Sequence, residues 1–356
     1  KYLKYLIDKG FAYVSQEEAP AESGAKDRRR EVIRFKNPNI KVSFKDLIRG
    51  DIEVDTTDLK DFVIAKDLDT PLFHLAVVAD DFDMGVTHVV RGEDHISNTP
   101  RQILIQRALG APEPVYAHLP LILAPDRTKL SKRKGALAIT EYRERGYLPE
   151  AVLNYLALLG WNPGTEQEIL TKDDLLAQFD ISKAQKGGAI FSEEKLRWVN
   201  KEYLKLLPAE KLYTEISSRL PEDLRHSAEN NPDTFAKIVP IILDRISTLG
   251  EVLLLADGGE VGYFFNDPVY DAEGLLWKDE KDSKLAVTRL SKVTDLLKEL
   301  SDGNFNTETI KGALWEYATE VGRGSVLWPL RYALSGRDKS PDPFTLAMIL
   351  GKETTL

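Results

Sequence analysis

The order of apolar runs between residues 73 and 124 restricts this part of the chain to strands and helices that alternate. Thr99 and Pro100 provide a cap residue and a proline at the first helical position, and Gly110 provides a stop. Strand, helix and strand in that order predict a βαβ unit with parallel strands. The strand patterns lie at 75–78, 86–90 and 119–124, and the helix pattern lies at 101–109.

The chain has a different pattern on each side of this unit. Residues 1–72 predict a short helix that ends at Gly10, followed by strands with turn residues between them. From about residue 141 the pattern is helical, although residues 251–282 are acidic, glycine-rich and typical of a linker or an exposed edge. The expected strands are 31–35, 42–44 and 62–65, and the helix start signals are Pro149, Ser192, Pro208, Asn231, Thr307 and Asp342.

Composition limits the chemistry that the chain can perform. The chain carries a net charge of −9. It contains no cysteine, and this absence excludes disulfides, thiolate zinc sites and a cysteine nucleophile. No apolar run approaches the ~18 residues that span a membrane. The net charge argues mildly against a nucleic-acid partner, but residues 251–282 hold most of it, while 126–145 and 323–352 are basic. Such local patches can bind polyanions.

The chain starts at Lys1 in what resembles the middle of an amphipathic helix, with neither an initiator methionine nor a signal-peptide pattern. We therefore expect that an upstream part is missing from the sequence. The βαβ unit is then expected to be one half of a larger nucleotide-binding sheet.

A lysine-rich loop follows the last predicted strand and contains Lys129, Ser131, Lys132 and Arg133 before Gly135. Ligands of parallel sheets bind beyond the carboxyl ends of the strands. Mobile ammonium groups on such a loop can neutralise the charge of a reacting triphosphate. The competing interpretation is a solvated basic loop without a catalytic role, and charge alone favours it.

A second polar segment follows the preceding strand. Arg91 stands where side chains project into the crevice of such a sheet, and a guanidinium matches a carboxylate bidentately. Asp94 can accept hydrogen bonds from ribose hydroxyls. A structural Arg–Asp pair beside a loop histidine explains the same residues equally well.

Two other groups of residues favour structural roles over ligand binding. One is an acidic and imidazole group that lacks the spacing of a known metal-ligand set, so no metal site is expected. The other is an aromatic group near the end of the chain, which fits helix packing better than base stacking. The first group is Asp80, Asp81, Asp83, His74 and His88, and the second is Trp315, Tyr317, Trp328 and Tyr332.

Four segments in order resemble the class I aminoacyl-tRNA synthetases, specifically the bacterial-type glutamyl-tRNA synthetases. Residues 129–133, with the sequence KLSKR, are similar to the second signature of that class, a mobile loop that closes on ATP. The other matching segments are 90–100, 147–161 and 328–336. The resemblance covers nearly the whole chain.

The resemblance implies a multidomain fold with α/β and all-α parts. The α/β parts would be an α+β acceptor-binding insertion and the second half of a Rossmann-like nucleotide-binding domain. The remaining parts would be helical and would contact the stem and the anticodon of tRNA. The expected bounds are 1–72 for the insertion, 73–138 for the catalytic half, 139–205 for the stem-contact domain, and 206–283 and 284–356 for two anticodon-binding subdomains.

The resemblance also implies a role for each matching residue. Arg91 would hold the side-chain carboxylate of glutamate, while Phe73 and Val77 stand where related enzymes often have a tyrosine and an asparagine near that substrate. The residues expected to contact ATP are Asp94, Ile122 through its backbone, Lys129 and Lys132. The residues expected to stabilise the departing pyrophosphate are Lys129, Ser131, Lys132 and Arg133. The residues expected at the anticodon are Arg331, Ser340, Pro341 and Arg245.

The function that the resemblance implies is ATP-dependent activation of glutamate and its transfer to the 3′ end of tRNA(Glu). Mg²⁺ would accompany ATP, and no zinc is expected because residues 12–30 lack the cysteines of many relatives. A cytoplasmic monomer without a membrane partner is implied. The first class signature is absent, so the chain as given is expected to lack full activity.

Three alternatives remain open at this point. The first is a non-catalytic tRNA-binding protein made of the same modules. The second, a paralogue that modifies a tRNA base, lacks the helical anticodon part, so residues 206–356 argue against it. The third, a paralogue that charges tRNA with glutamine, is less consistent with the helical C-terminal half.

Overall fold

The computed structural model forms two compact units. The first consists of Lys1–Ala136 and Leu153–Glu193, and the second of Leu137–Val152 and Glu194–Leu356. None of the helices described is both long and apolar enough to cross a membrane. The residues that the structure describes are 1–18, 29–131, 133, 137–269 and 271–356.

The first unit contains an antiparallel sheet, a mixed sheet and a short parallel strand pair. The antiparallel sheet has the order β1-β2-β5, the mixed sheet has the order β4-β3-β7-β6, and β8 pairs with β9. In these sheets β1 is Ala12–Glu18, β2 is Arg29–Phe35, β3 is Lys41–Asp46, β4 is Gly50–Asp55, β5 is Phe62–Ala65, β6 is His88–Gly92, β7 is Val115–Leu119, β8 is Ile122–Leu123 and β9 is Ala189–Ile190. The first helices are α1 (Tyr2–Asp8), α2 (Phe73–Asp83) and α3 (Thr99–Leu109).

One apolar core joins the larger two sheets to α1, α2 and α3. Burying these side chains removes apolar surface from water, which is the main favourable contribution to folding. In β3, Val42 and Phe44 alternate with exposed residues, as the period of two predicts. The core includes Leu6, Ile33, Phe35, Val42, Phe44, Ile64, Leu75, Ile103, Ile105 and Tyr116.

Of the remaining helices, α6 belongs to the first unit, α5 and α7 have residues in both units, and the others belong to the second. In the second unit α12, α13, α14 and α15 pack against one another, and Phe235 is fully buried in α10. The bounds are α4 (Ile139–Glu144), α5 (Pro149–Leu158), α6 (Lys172–Gln178), α7 (Glu193–Lys205), α8 (Ala209–Ser217), α9 (Glu222–Asn230), α10 (Pro232–Arg245), α11 (Glu251–Asp257), α12 (Ser283–Lys298), α13 (Thr307–Val321), α14 (Arg323–Ser335) and α15 (Pro343–Thr355).

The predicted βαβ unit is confirmed, because β6 and β7 are parallel neighbours connected by α3. Gly110 ends α3 in the left-handed region, with a φ of 70°, as expected of a glycine C-cap. The expected strands near residues 31, 42 and 62 are confirmed as β2, β3 and β5.

Three local predictions are wrong. Residues 75–78 lie in α2 and not in a strand; Leu75 and Val78 are buried at helical spacing, and short apolar runs do not distinguish the two. The βαβ unit closes with β7 and not with residues 119–124, since Pro120 lacks the N–H that the ladder needs. Thr99 lies inside α3 and does not cap it.

The acidic stretch 251–282 is also not a linker. It contains α11, and its Tyr263, Phe264 and Leu275 are buried. Some of its carboxylates form ion pairs with arginines, including Glu280 with Arg289 at 2.8 Å. Strands β3 and β4, from before the predicted boundary at residue 72, share one sheet with β6 and β7. The division into five domains stays a prediction.

Candidate active site

Three parallel strands deliver polar side chains to one edge of the mixed sheet. β3 ends at Asp46, and in the register of β6 and β7 Arg91 lies opposite His118, one residue before both strands end. The edge therefore gathers a carboxylate, a guanidinium and an imidazole. The crevice beyond the carboxyl ends of parallel strands is where such folds bind ligands.

The guanidinium of Arg91 is held by three neutral acceptors. Its Nε–H donates to His118 Nε2 at 3.2 Å, and its Nη2 donates to Thr99 Oγ1 and Gln102 Oε1, each at 2.8 Å. In the described part of the chain, no carboxylate oxygen lies within 4.0 Å of its nitrogens. Burial lowers the pKa of Arg91, and the charge of Asp81 opposes that shift. A half-buried cation without an ion pair is costly, so this geometry favours an anionic ligand at Nη1.

His118 is fully buried and connects Arg91 to Asp46. Its Nδ1 lies 2.6 Å from Asp46 Oδ2, which also accepts the backbone N–H of His118 at 3.0 Å. Asp46 Oδ1 accepts the backbone N–H groups of Ile48 and Arg49 at 2.9 and 2.8 Å. Burial raises the pKa of Asp46, but these hydrogen bonds outweigh burial and hold the pKa below its ordinary value.

The loop after β6 is fixed by its own carboxylates. Glu93 accepts from Arg49 Nη2 at 2.5 Å and from the backbone N–H of Leu121 at 3.1 Å. The next residue, Asp94, pairs with Lys129 Nζ at 2.7 Å, and the hydrogen bond from Lys129 lowers the pKa of Asp94. A Cβ at Gly92 would lie 2.5 Å from Asp94 Oδ1, so a side chain there would displace the Asp94 carboxylate from its present position.

The segment that follows β8 folds back on it. The backbone N–H of Leu130 donates to the Ile122 carbonyl at 2.9 Å, and Leu123 pairs with Lys129 in an antiparallel bridge. These contacts bring the start of the lysine-rich loop beside Asp94. The predicted loop residues Ser131 and Arg133 are exposed, and Lys132 and Gly135 lie outside the described residues.

Phe73 and Val77 occupy one face of α2, four residues apart. Phe73 is 49% exposed, and its ring centroid lies 5.8 Å from that of His95. The neighbouring His74 has a buried Nδ1 without a hydrogen-bond partner among the described atoms. Burial lowers the pKa of His74, and the charges of Arg101 and Arg91 lower it further.

The residues predicted at the anticodon all lie in the second unit. Arg331 donates to the carbonyl of Asp338 at 2.7 Å, and its guanidinium lies 4.7 Å from the ring centroid of Trp328. Ser335 on the same helix donates to Ser340 at 3.2 Å, next to Pro341. Arg245, at the end of α10, forms an ion pair with Glu260.

The aromatic side chains near the end of the chain do not share one environment. Trp328 packs between Trp277 and Tyr332, with ring centroids 5.5 and 6.3 Å away. Trp315 is 36% exposed and lies between two cations, with Arg323 at 4.3 Å and Lys311 at 4.9 Å from its ring centroid. The packing of Trp328 and Tyr332 agrees with the sequence-based interpretation, whereas Trp315 presents a cationic, aromatic surface.

Sequence reasoning identified Arg91 and Asp94 but missed the residues that orient them: Asp46, Arg49, Glu93, Thr99, Gln102 and His118. Asp46 and His118 are 72 positions apart, so no local spacing connects them. A weak signal exists in retrospect, since each lies within one residue of the end of its strand. Within the described residues there is no group of three or more histidine or acidic side chains that could hold a metal ion.

Lowering the pH from 7.5 to 5.5 should destabilise the chain, in part through His118. Burial lowers its pKa from 6.5, the charges of Arg91 and Arg49 add to this, and Asp46 opposes it. Below pH 6.5 the unfolded chain binds more protons than the folded one, so the free energy of unfolding decreases. His74 contributes in the same direction, because its pKa is also lowered. Urea unfolding at both pH values should show a smaller pH effect in His118→Gln; an identical pH effect would contradict a neutral, buried His118.

The comparisons with known proteins agree with this geometry. The family model described as tRNA synthetases class I (E and Q), catalytic domain, matches residues 14–198, and the anticodon binding domain model matches residues 207–356. The chain therefore belongs to the class I tRNA synthetases of the E and Q type. This confirms the expected fold class, a synthetase catalytic domain with a mixed sheet followed by a helical anticodon-binding domain.

The individual proteins that are similar to this chain include curated glutamate–tRNA ligases. Glutamate–tRNA ligase 1 of Syntrophomonas wolfei is 40% identical over 326 residues, which is 90% of this chain and 64% of the relative. Glutamate–tRNA ligase of Desulforudis audaxviator is 39% identical over 335 residues, covering 92% of this chain and 65% of the relative. The chain thus spans slightly less than two thirds of the length of these curated relatives. A crystal structure of a glutamate tRNA ligase from Elizabethkingia meningosepticum in complex with its amino acid has a TM-score of 0.80 and 30% identity, covering 99% of this chain and 79% of that one.

Proposed function

We propose that the protein containing this chain is a glutamate–tRNA ligase, which activates L-glutamate with ATP and transfers it to the 3′ end of tRNA(Glu). The observation that carries the proposal is Arg91, a half-buried guanidinium at the ligand-binding edge of the sheet. Its Nε and Nη2 donate to neutral acceptors, and no carboxylate from the described residues pairs with it. The side-chain carboxylate of glutamate would supply the missing anion at Nη1.

Other buried polar atoms around Arg91 support a polar ligand. Gln102 uses its Oε1 to accept from Arg91, and its buried Nε2 has no partner among the described atoms. The Nδ1 of His74 is likewise buried and has no hydrogen-bond partner among the described atoms. Buried polar groups are nearly always hydrogen-bonded, so unpartnered ones beside an unpaired cation are consistent with a site that a ligand completes. Phe73 and Val77, the other two proposed glutamate-binding residues, would contact the methylenes.

The proposed ATP contacts lie beside this pocket. Asp94 would accept from the ribose, the backbone of Ile122 would contact the adenine, and Lys129 and Lys132 would neutralise phosphate charge. Lys129, Ser131, Lys132 and Arg133 would stabilise the departing pyrophosphate. Mg²⁺ is proposed to arrive with ATP and to screen its phosphates.

The proposed reaction has two steps and needs no covalent enzyme intermediate. The α-carboxylate of glutamate attacks the α-phosphate of ATP, which forms the acyl-adenylate and releases pyrophosphate. A terminal ribose hydroxyl of tRNA then takes the acyl group and releases AMP. Positioning and charge stabilisation are sufficient for both steps. Because ribosomes consume charged tRNA, the reaction belongs in the cytoplasm, and we propose that the protein acts there as a monomer.

The tRNA would contact the helical second unit through its anticodon. The family match to an anticodon binding domain over 207–356 supports this partner. We propose that Arg331, Ser340, Pro341 and Arg245 contact the anticodon, and that the chain divides into the five domains expected from the sequence.

Replacing Arg331 with alanine should weaken tRNA binding by about 1–3 kcal/mol, the scale of one lost arginine contact to a base or phosphate. Adenylate formation should not change, because Arg331 lies in the anticodon-binding domain and not in the catalytic one. Filter binding at fixed salt measures the affinity, and Lys211→Ala on α8 is the control for loss of one exposed cation. Equal affinity of Arg331→Ala and the wild-type protein would remove this residue from the anticodon site.

The competing function is a tRNA-binding protein without catalysis. It predicts tRNA affinity with a steep salt dependence, and no ATP-dependent charging of tRNA. Incubation of the protein with ATP, Mg²⁺, radiolabelled L-glutamate and tRNA distinguishes the two, because only a ligase produces acid-precipitable label. The expectation that the 356-residue chain alone lacks full activity is tested by the same assay.

A further inference from the structure

We propose that Asp46 and His118 are positioning residues that set the orientation of the Arg91 guanidinium and thereby the affinity for glutamate. The inference rests on the proposed function, because it assigns Arg91 the glutamate carboxylate. It concerns two buried residues that need not touch the substrate themselves. Their contacts determine which of the five N–H groups of Arg91 remain for a ligand.

The hydrogen bonds fix the state of the imidazole. An arginine N–H can only donate, so the Nε–H of Arg91 requires a lone pair on His118 Nε2, 3.2 Å away. The imidazole proton must then lie on Nδ1, where it donates to Asp46 Oδ2 at 2.6 Å. This is the neutral Nδ1–H form of histidine. With the opposite tautomer, the Nε2–H of His118 would have Thr99 Oγ1 as an acceptor at 3.2 Å, but the Nε–H of Arg91 would lose its acceptor and a bare Nδ1 would face the Asp46 carboxylate.

The hydrogen bonds of Asp46 favour the Nδ1–H tautomer of His118. Its two oxygens accept four N–H groups, three from the backbone and one from His118, and the residue is 1% exposed. A carboxylate fixed by three backbone donors cannot rotate away from Nδ1. The ring itself is restrained by Tyr116, which stacks on it with a centroid distance of 6.0 Å and an interplanar angle of 10°.

As a consequence, Nη1 of Arg91 has no acceptor among the described residues. His118 takes Nε, while Thr99 and Gln102 take Nη2, so the planar group is fixed by acceptors on one side. The N–H groups of Nη1 then point in one direction and are available to a carboxylate. Pre-orientation of this kind reduces the entropy that is lost when a ligand binds.

Two substitutions of one residue separate the two contacts of His118. In His118→Asn the amide nitrogen replaces Nδ1, so the hydrogen bond to Asp46 is kept and the acceptor for Arg91 is lost. In His118→Gln the amide oxygen replaces Nε2, so the acceptor for Arg91 is kept and the hydrogen bond to Asp46 is lost. A merely structural role predicts similar effects of both changes.

The test is the steady-state charging of tRNA with L-glutamate by the protein that contains this chain. We expect His118→Asn to raise the KM for glutamate about 10-fold, the scale of one hydrogen bond to a charged group, with the KM for ATP unchanged. His118→Gln should raise the KM for glutamate less than about 3-fold. His88→Asn, an exposed histidine at the start of β6, is the matched control and should have no effect. Equal values for both His118 variants would overturn the inference.

A second measurement does not depend on activity. Nitrogen-15 NMR of the 356-residue chain should show His118 as the Nδ1–H tautomer, which is the minor form of free histidine. Observation of the Nε2–H form would overturn the inference even if the chain folds normally. The proposed function fails separately, namely if the wild-type protein does not charge tRNA with glutamate or if Arg91→Ala leaves the KM for glutamate unchanged.

Discussion

Replacing Arg91 with alanine should lower kcat/KM for L-glutamate by two to three orders of magnitude, while tRNA affinity stays unchanged. Removal of one partner of a buried, hydrogen-bonded charge pair costs about 2–5 kcal/mol, because the other charge is left without compensation. Here the uncompensated charge is the substrate carboxylate. Three neutral acceptors, His118, Thr99 and Gln102, would also lose their donor. The measurement is the initial rate of tRNA charging at varied glutamate concentration.

The control for this substitution is Arg107→Ala. Arg107 is an exposed arginine of α3 that pairs with Glu113 at 2.7 Å. Glu113 lies just before the first residue of β7, whereas the ligand-binding edge is at the other end of that strand. Exposed pairs contribute little, so its rate should equal that of the wild-type protein. Arg91→Lys should fall between the two, because an ammonium keeps the charge but cannot donate to His118, Thr99 and Gln102 at once while also meeting the substrate. An Arg91→Ala protein with wild-type kcat/KM would remove Arg91 from the glutamate site.

Replacing Asp46 with alanine should destabilise the first unit by about 3–5 kcal/mol, because several buried donors lose their acceptor at about 1–3 kcal/mol each. The cause is the loss of an acceptor for four N–H groups in a site that water does not reach. Unpaired buried donors cost more than the hydrogen bonds contribute when formed. Chemical denaturation followed by circular dichroism measures the change.

Asp51→Ala is the matched control for this loss. Asp51 is an exposed aspartate of β4, five residues from Asp46 and in the same hairpin, and its substitution should change stability by less than about 0.5 kcal/mol. Asp46→Asn should be intermediate, since an amide keeps one oxygen but turns an NH₂ group towards backbone donors. If Asp46→Ala and Asp51→Ala unfold at the same denaturant concentration, the buried network does not stabilise the unit.

The sequence predicted the parts of the fold whose signals are local. Pro100 and Gly110 bracket α3, and the flanking β-branched run became β6, because propensity and tertiary context agree there. The same kind of run at 75–78 was wrongly expected to be a strand, since tertiary packing of Leu75 and Val78 selects a helix. Where context decides, a single sequence holds no local signal.

In the candidate site, too, the sequence predicted some residues and missed others. Arg91 and the lysine-rich loop were found because each directly follows an apolar run, and the order of elements places those positions at one edge of a sheet. Asp46 and His118 could not be found, because only the pairing of β3 with β7 brings them together. Thr99 was interpreted as a helix cap, although its hydroxyl accepts from Arg91. The orienting residues around a site depend on long-range topology, which local spacing does not reveal.

Contacts between residues distant in sequence also explain why the charge pattern alone was misleading. The acidic stretch 251–282 was expected to be exposed, but Glu251 pairs with Arg197 at 2.5 Å and Glu260 with Arg245. Partners distant in sequence thus neutralise part of the negative charge. The average charge of the chain therefore gives little information about the surfaces that would meet a polyanion.

The most direct test of the account is a side-by-side measurement of tRNA charging with L-glutamate and with L-glutamine, at equal concentrations and with the same tRNA. The two amino acids differ only in the group that Arg91 would bind, a carboxylate against a neutral amide. The account predicts that the protein containing this chain charges tRNA with L-glutamate at least about 100-fold more efficiently, in kcat/KM, than with L-glutamine. Equal efficiencies, or charging with glutamine alone, would contradict it.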